Sequence, residues 1–228
     1  MRAIIVADGD VRPGPALSLA LARPDEDGRG LPLVVAADGG ALKAISLGLR
    51  PDLVVGDGDS LAPDRIAELR RDGVEVIVHP ADKDASDTEL AVHEALARGA
   101  MSIVILGAFG GPRLEHSVAN LLLLTLAELA EVDMALVDGS STVRVIGVAG
   151  AGHAAMTGQV GDYVSLLPLS ERVDGVTTEG LRFALTDATL AQGPARGLSN
   201  EMATKACAVR TRSGRLAIIH TQRELASG

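Results

Sequence analysis

Short apolar runs recur along residues 1–137, each followed by a longer Ala- and Leu-rich stretch. "AIIVA", "PLVVAA", "DLVVG", "VEVIVH", "SIVILG" and "VDMALV" are continuous rather than alternating, the pattern of strands buried on both faces. Helical spacing fills residues 61–72 and 87–99, and strands alternating with helices predict a parallel sheet covered on both faces in three layers. After about residue 140 the texture changes. "STVRVIG", "GDYVSLLP", "VDGVTTEG", "LRFALTD", "ATKACAVRT" and "GRLAIIHT" follow one another with Gly or Pro between them and no helical pattern. That texture predicts a small antiparallel sandwich or barrel. The expected division is therefore an α/β domain over residues 1–137 and a β domain over 143–228, with "DGSST" at 138–142 as linker. "ARPDEDGRG", residues 22–30, reads as a surface loop.

Composition sharpens this picture in three ways. With no Trp, one Tyr and two Phe, the core must be aliphatic. A formal charge of −9 argues against a polynucleotide partner, because phosphate backbones are bound by clustered Lys and Arg. The single Cys207 excludes an internal disulfide and suits a reducing cytoplasm. "MRAIIVADGD" reaches an acidic residue too early for a signal-peptide core, and the apolar "LLLLTLAELAEV" is broken by Glu128 and Glu131, short of the roughly 20 residues of a membrane helix. The expectation is a cytoplasmic protein with no membrane or nucleic-acid partner.

In a parallel sheet, ligands bind beyond the carboxyl ends of the strands. The residues just past each strand are therefore informative. After "LVVAA" comes Asp38-Gly39-Gly40; after "DLVVG" comes Asp57-Gly58-Asp59-Ser60; after "VIVH" comes "PADKDASDTE"; after "IVILG" comes "AFGGPRLEH". Asp and Gly are ordinary turn formers, and Ser86 with Glu89 has capping-box spacing, with Asp87 favoured in the first turn. Turn chemistry does not explain why Asp82, Lys83 and Asp84 crowd one loop beside a second strand that also ends in carboxylates. Carboxylates brought together repel unless a cation joins them, and hard oxygen ligands without paired Cys or His point to Mg²⁺, hence to phosphate. "GAFGGPRLEHSVANLLLL" supplies the complement: glycines for close approach, the forked donor Arg113, and a helix whose Val118, Leu121, Leu122 and Leu129 are expected to face the core. His116 at that helix start reads either as a ligand contact or as a structural hydrogen-bonder. The P-loop, the dinucleotide G-x-G-x-x-G, H-E-x-x-H zinc sites and the G-x-S-x-G elbow are all absent.

Together, "ADGG" at 37–40, "PDLVVGDGDS" at 51–60, "DKDASDTE" at 82–89, "GGPRLEH" at 110–116 and "GLSNE" at 197–201 resemble the thiamine pyrophosphokinase (thiamine diphosphokinase) family. The resemblance implies an α/β catalytic domain followed by a β-sandwich, a homodimer with active sites between subunits, and diphosphate transfer from ATP to thiamine. It assigns Mg²⁺ to Asp57, Asp59 and Asp87, and the ATP phosphates to Lys83 and Arg113. Asp38, Gly39, Gly40, Asp84 and His116 fall on the nucleotide side of the cleft, and Ser86, Ser199 and Asn200 on the thiamine side. Asp87 or Glu115 is the implied acceptor of the hydroxyl proton. The family's usual R-x-D-H is here Arg113-Leu114-Glu115-His116, one methylene longer at the acid. Phe183 and Tyr163 are the aromatic candidates for a thiamine ring in the second domain. Three rivals stand beside this reading: a diphosphokinase for a hydroxymethyl pterin, a non-catalytic nucleotide-binding scaffold, and a parallel-sheet protein whose acidic loops are solvated turns.

Overall fold

The computed structural model describes residues 1–23, 31–80 and 82–223, so most of the expected loop at 22–30 lies outside the described residues. The chain divides into two compact units, Met1–Leu123 with Glu131–Gly139, and Leu124–Ala130 with Ser140–Gly228.

Among the described residues the first unit holds six parallel strands, β1 (Arg2–Val6), β2 (Leu33–Ala37), β3 (Leu53–Gly56), β4 (Glu75–Val78), β5 (Ser102–Leu106) and β6 (Asp133–Asp138). Their order is β6-β5-β1-β2-β3-β4, in register at Ile4↔Val34, Val6↔Leu106 and Val55↔Ile77. The described helices that join them are α1 (Pro15–Ala22), α2 (Gly40–Ser46), α3 (Pro63–Arg71), α4 (Asp87–Ala97) and α5 (Leu114–Leu123). Pro15 and Pro63 open α1 and α3, where a missing N–H costs nothing. Ile4, Val6, Val104 and Leu106 pack with Ala16, Leu17 and Ala44, while Ala36 and Val54 pack with Leu61 and Leu69. α4 lies against β1, β2 and β3 and accounts for burial of the alternate residues Ile5 and Val35.

Two expectations need correction here. "VEVIVH" is not buried on both faces: β4 is the sheet edge, with Glu75 and Val78 exposed. Nor do Val118 and Leu122 face the core; they are 50% and 48% exposed, and Leu114 is 76% exposed. α5 instead turns Asn120 and Leu123 inward, because the Asn120 side-chain amide donates to Ala108 O at 2.8 Å. Leu129 lies beyond the helix, buried on a single 3₁₀ turn at Ala127–Leu129.

The second unit contains β7 (Ser141–Ile146), β8 (Gly152–Thr157), β9 (Tyr163–Pro168), β10 (Arg172–Glu179), β11 (Ala188–Ala191), β12 (Asn200–Glu201), β13 (Ala206–Thr211) and β14 (Leu216–Thr221). Antiparallel pairing gives one sheet ordered β12-β9-β14-β7 and another ordered β11-β10-β13-β8. Val164, Leu166, Leu216 and Ile218 of the first meet Val173, Val176, Leu190 and Val209 of the second in one aliphatic core. That is a β-sandwich. "LRFALTD" is not a strand: past one bridge at Leu181 it runs irregularly, since Asn200 captures the backbone of Phe183. No described helix is long and apolar enough to cross a membrane.

Candidate active site

Parallel pairing sets the carboxyl ends of β2, β3, β4 and β5 along one edge of the first unit. Asp38 follows β2 in the left-handed region, φ 43°, a conformation Asp tolerates better than most residues. Its N–H donates to Val55 O at 2.8 Å, which ties it to β3. Gly56 is what admits it: a Cβ there would lie 2.7 Å from the Asp38 Cβ. The Asp38 carboxylate is buried and accepts from Ser60 N at 3.0 Å. Burial pushes its pKa up, and the Ser60 bond only partly opposes this.

Asp57, after β3, accepts from Asp59 N at 3.1 Å, and Asp59 accepts from the Ser60 hydroxyl at 3.0 Å. One carboxylate oxygen from each of Asp38, Asp57 and Asp59 falls within 4.8 Å of the others. Lys83 answers this charge, lying 3.5 Å from Asp57 and 2.8 Å from Asp87. The Asp59 N–H, with smaller help from Lys83, holds the Asp57 carboxyl below the ordinary aspartate range. Partial burial of Lys83 would favour its neutral form, but Asp87 and Asp57 outweigh it and the ammonium titrates above its usual value. α4 begins where it does because Ser86 caps it, accepting from Glu89 N at 3.2 Å, which is the Ser86 half of the expected capping box and engages the Ser86 hydroxyl.

The structure thus gathers Asp38, Asp57, Asp59, Lys83 and Asp87. Asp82 and Asp84 are exposed. Arg113 pairs with Glu115 at 2.7 Å at the start of α5, both side chains 65% exposed, and His116 beside them is exposed. That bond lowers the Glu115 pKa. Gly39 and Gly40 are buried where β2 turns into α2.

In the second unit, Ser199 is exposed at φ 55° and its N–H donates to the Ser165 hydroxyl at 3.0 Å. Asn200 is buried, accepting from Phe183 N (3.0 Å) and Glu201 N (2.8 Å) and donating to Phe183 O (2.8 Å). Its side chain is spent on holding Phe183, a residue 62% exposed with the Arg182 guanidinium 5.5 Å from its ring centroid. One loop of the rim escaped the sequence reading: Asp8-Gly9-Asp10 after β1, clasped by Lys43 of α2. Its signal was available, since "ADGD" ends an apolar run as "GDGDS" does.

An α/β unit with an acidic carboxyl edge, followed in the chain by a β-sandwich, defines the class of protein. Residues 29–136 match the catalytic domain of thiamin pyrophosphokinase, and residues 154–216 match its vitamin B1 binding domain. Thiamine pyrophosphokinase of Bacillus subtilis (strain 168) is 25% identical over 170 residues, 75% of this chain and 78% of the relative. A solved thiamin pyrophosphokinase from Geobacillus thermodenitrificans superposes with a TM-score of 0.79 at 27% identity, covering 100% of this chain and 99% of its own. The solved Bacillus subtilis structure shares the fold with a TM-score of 0.80, 24% identity and coverage of 98% and 100%. The chain belongs to the thiamine pyrophosphokinase family.

Proposed function

We propose that this chain transfers the diphosphoryl group of ATP to the hydroxyethyl oxygen of thiamine, releasing thiamine diphosphate and AMP. The observation that carries the reading is that both halves of the family pattern match in order, and the catalytic half contains the Asp38, Asp57 and Asp59 group. Three carboxylates with oxygens within 4.8 Å of one another form a hard donor set, and a buried member whose pKa is raised is one that gains from a cation. The residues fit Mg²⁺. Asp57 and Asp59 would hold it together with Asp38, and Asp87, bridged to Asp57 through Lys83, stands beside them. Bound there, the metal supplies positive charge to the phosphate oxygens.

The remaining work falls to the chain. Lys83 adds positive charge beside the carboxylates, and Arg113, whose Glu115 pairing is exposed and exchangeable, offers a fork to phosphate. Phosphoryl transfer depends mostly on positioning and charge, so Asp87 or Glu115 need only accept the hydroxyl proton as the new O–P bond forms and the bond to the AMP oxygen breaks. Phe183, held open by Asn200, supplies a ring face for thiamine, and Ser199, exposed next to Asn200 in the chain, a hydroxyl.

The proposed assembly is a homodimer with active sites between subunits. Support comes from α5, where Leu114, Val118 and Leu122 recur at four-residue spacing, exposed, on a helix that starts at Arg113 and Glu115. A chain whose only cysteine is buried fits the reducing cytoplasm, where the reading places it. The test is chromatographic detection of thiamine diphosphate and AMP from ATP, Mg²⁺ and thiamine; ATP binding without either product would overturn the reading.

A further inference from the structure

The strand order reverses between β1 and β5: β1 to β4 run outward on one side, and β5 and β6 lie on the other. Such a reversal opens a crevice at the carboxyl ends of the two central strands, where ligands of open α/β sheets settle. Here the crevice is bordered by Asp8-Gly9-Asp10 after β1 and by Gly107–Gly111 after β5. The two exits are stitched together by Ala7 N to Leu106 O (2.8 Å), Gly9 N to Gly107 O (2.8 Å) and Asp10 N to Phe109 O (2.7 Å). Those bonds commit the Ala7, Gly9 and Asp10 N–H groups of the β1 exit. Lys43 commits its acceptors.

From the second turn of α2, Lys43 Nζ donates to Asp8 O and to Gly9 O (2.7 Å), and it pairs with Asp8 Oδ1 at 2.9 Å. An ammonium has three protons, so all of them are spent. Lys43 is therefore no phosphate clamp. Its effect is to hold Asp8. The carboxylate is fixed over Gly39, where an added Cβ would come within 2.8 Å of it, yet it remains 55% exposed. Asp8 thus stands at the crevice beside the loop that carries Asp38. β1 and β3 are two strands apart, about 10 Å at the usual strand spacing, which is comparable with the reach from a bound triphosphate to its ribose.

We propose that Lys43 is a positioning residue for the nucleotide: it orients the Asp8 carboxylate to accept a hydrogen bond from the ribose 2′-hydroxyl of ATP. The inference rests on the ATP-dependent reading above and adds to it a sugar-reading residue at the β1 exit. A plain helix-to-strand tie would need only the two carbonyls. The ion pair to an exposed carboxylate at the switch point is what a tie does not require.

The test compares ATP with 2′-deoxy-ATP in wild type, Lys43→Met and Asp8→Ala. Both KM values and direct calorimetric affinities with Mg²⁺ are measured, together with Tm. Wild type binds ATP roughly tenfold more tightly than the deoxynucleotide, the scale of one hydrogen bond to a charged group. Each variant loses that discrimination by weakening ATP alone, while the 2′-deoxy-ATP affinity and kcat at saturation stay within about twofold, the latitude expected when only uniform binding is removed. Asp8→Ala keeps both backbone carbonyl contacts to Lys43 and so carries the test if Lys43→Met folds poorly. Equal affinity of wild type for the two nucleotides overturns the inference, and so do variants that retain the wild-type ratio or weaken both nucleotides alike. Wild type that turns over ATP and thiamine yet ignores the 2′-hydroxyl refutes only this inference. Absence of turnover refutes the broader reading, with the calorimetric ratio still deciding Asp8.

Discussion

Asp162 offers the sharpest energetic prediction. It is 1% exposed in the second unit and accepts from Gln159 N (2.9 Å), Arg223 N (3.0 Å) and His220 Nε2 (3.1 Å). Replacement by Ala leaves three donors without their acceptor at about 1–3 kcal/mol each, partly offset because a carboxylate no longer has to be dehydrated. The expected loss is about 3–5 kcal/mol, the range for one member removed from a buried pair. Asp162→Asn keeps one acceptor oxygen but turns an N–H₂ group toward a donor, so about 2 kcal/mol is expected. Burial alone would raise the Asp162 pKa, but the Gln159 and Arg223 amides and His220 outweigh it and hold it low. A carboxylate whose folded pKa lies below its unfolded value of about 3.9 stabilises fully above that value and loses its contribution as pH falls through the folded pKa. The gap between wild type and variant must therefore be widest at neutral pH and close in acid. Urea unfolding of both proteins over a descending pH series, followed by circular dichroism, measures it. A neutral-pH gap below about 1 kcal/mol, or one that widens in acid, would refute the reasoning.

Three further outcomes are expected. Asp57→Asn and Asp59→Asn should melt like wild type without ligand, yet lose the Mg²⁺-dependent stabilisation by a non-hydrolysable ATP analogue and fall on the order of a hundredfold or more in turnover; full activity in either contradicts the metal role. Gly56→Ala places a methyl 2.7 Å from the Asp38 Cβ, so thermal unfolding should report about 1–3 kcal/mol of destabilisation together with weakened Mg²⁺ response, and an unchanged melt would show that Asp38 is not held as described. Val118→Lys on the exposed α5 stripe should convert a dimer to a monomer in sedimentation velocity, and a dimer that persists places the interface elsewhere.

The sequence made the layers legible because burial on two faces leaves a mark: continuous runs such as "SIVILG" became β5 with every residue buried. It misjudged "VEVIVH", since apolar content does not say whether a strand has a neighbour on both edges, and among the described residues β4 has one only on the β3 side. α5 shows the same limit from the other side. An apolar stripe reads identically whether it meets its own core or another surface, and Asn120, the residue that turns inward, is polar because it has the Ala108 carbonyl to satisfy. At the rim, Asp57, Asp59, Lys83 and Asp87 were visible as chemistry following strands. The approach of Asp38 to Asp57 and Asp59 was not, because it depends on a backbone turn at φ 43° and on the missing Cβ of Gly56. Lys43 was invisible for the same reason: a single lysine in a helix does not announce that its three protons meet the end of another strand.

The central claim is tested most directly by incubating the purified chain with ATP, Mg²⁺ and thiamine and resolving the products by chromatography, with a hydroxymethyl dihydropterin as parallel acceptor. The account predicts thiamine diphosphate and AMP in equal amounts, dependent on Mg²⁺ and on thiamine. AMP formed only with the pterin, or no AMP at all from a protein that binds ATP, would contradict it.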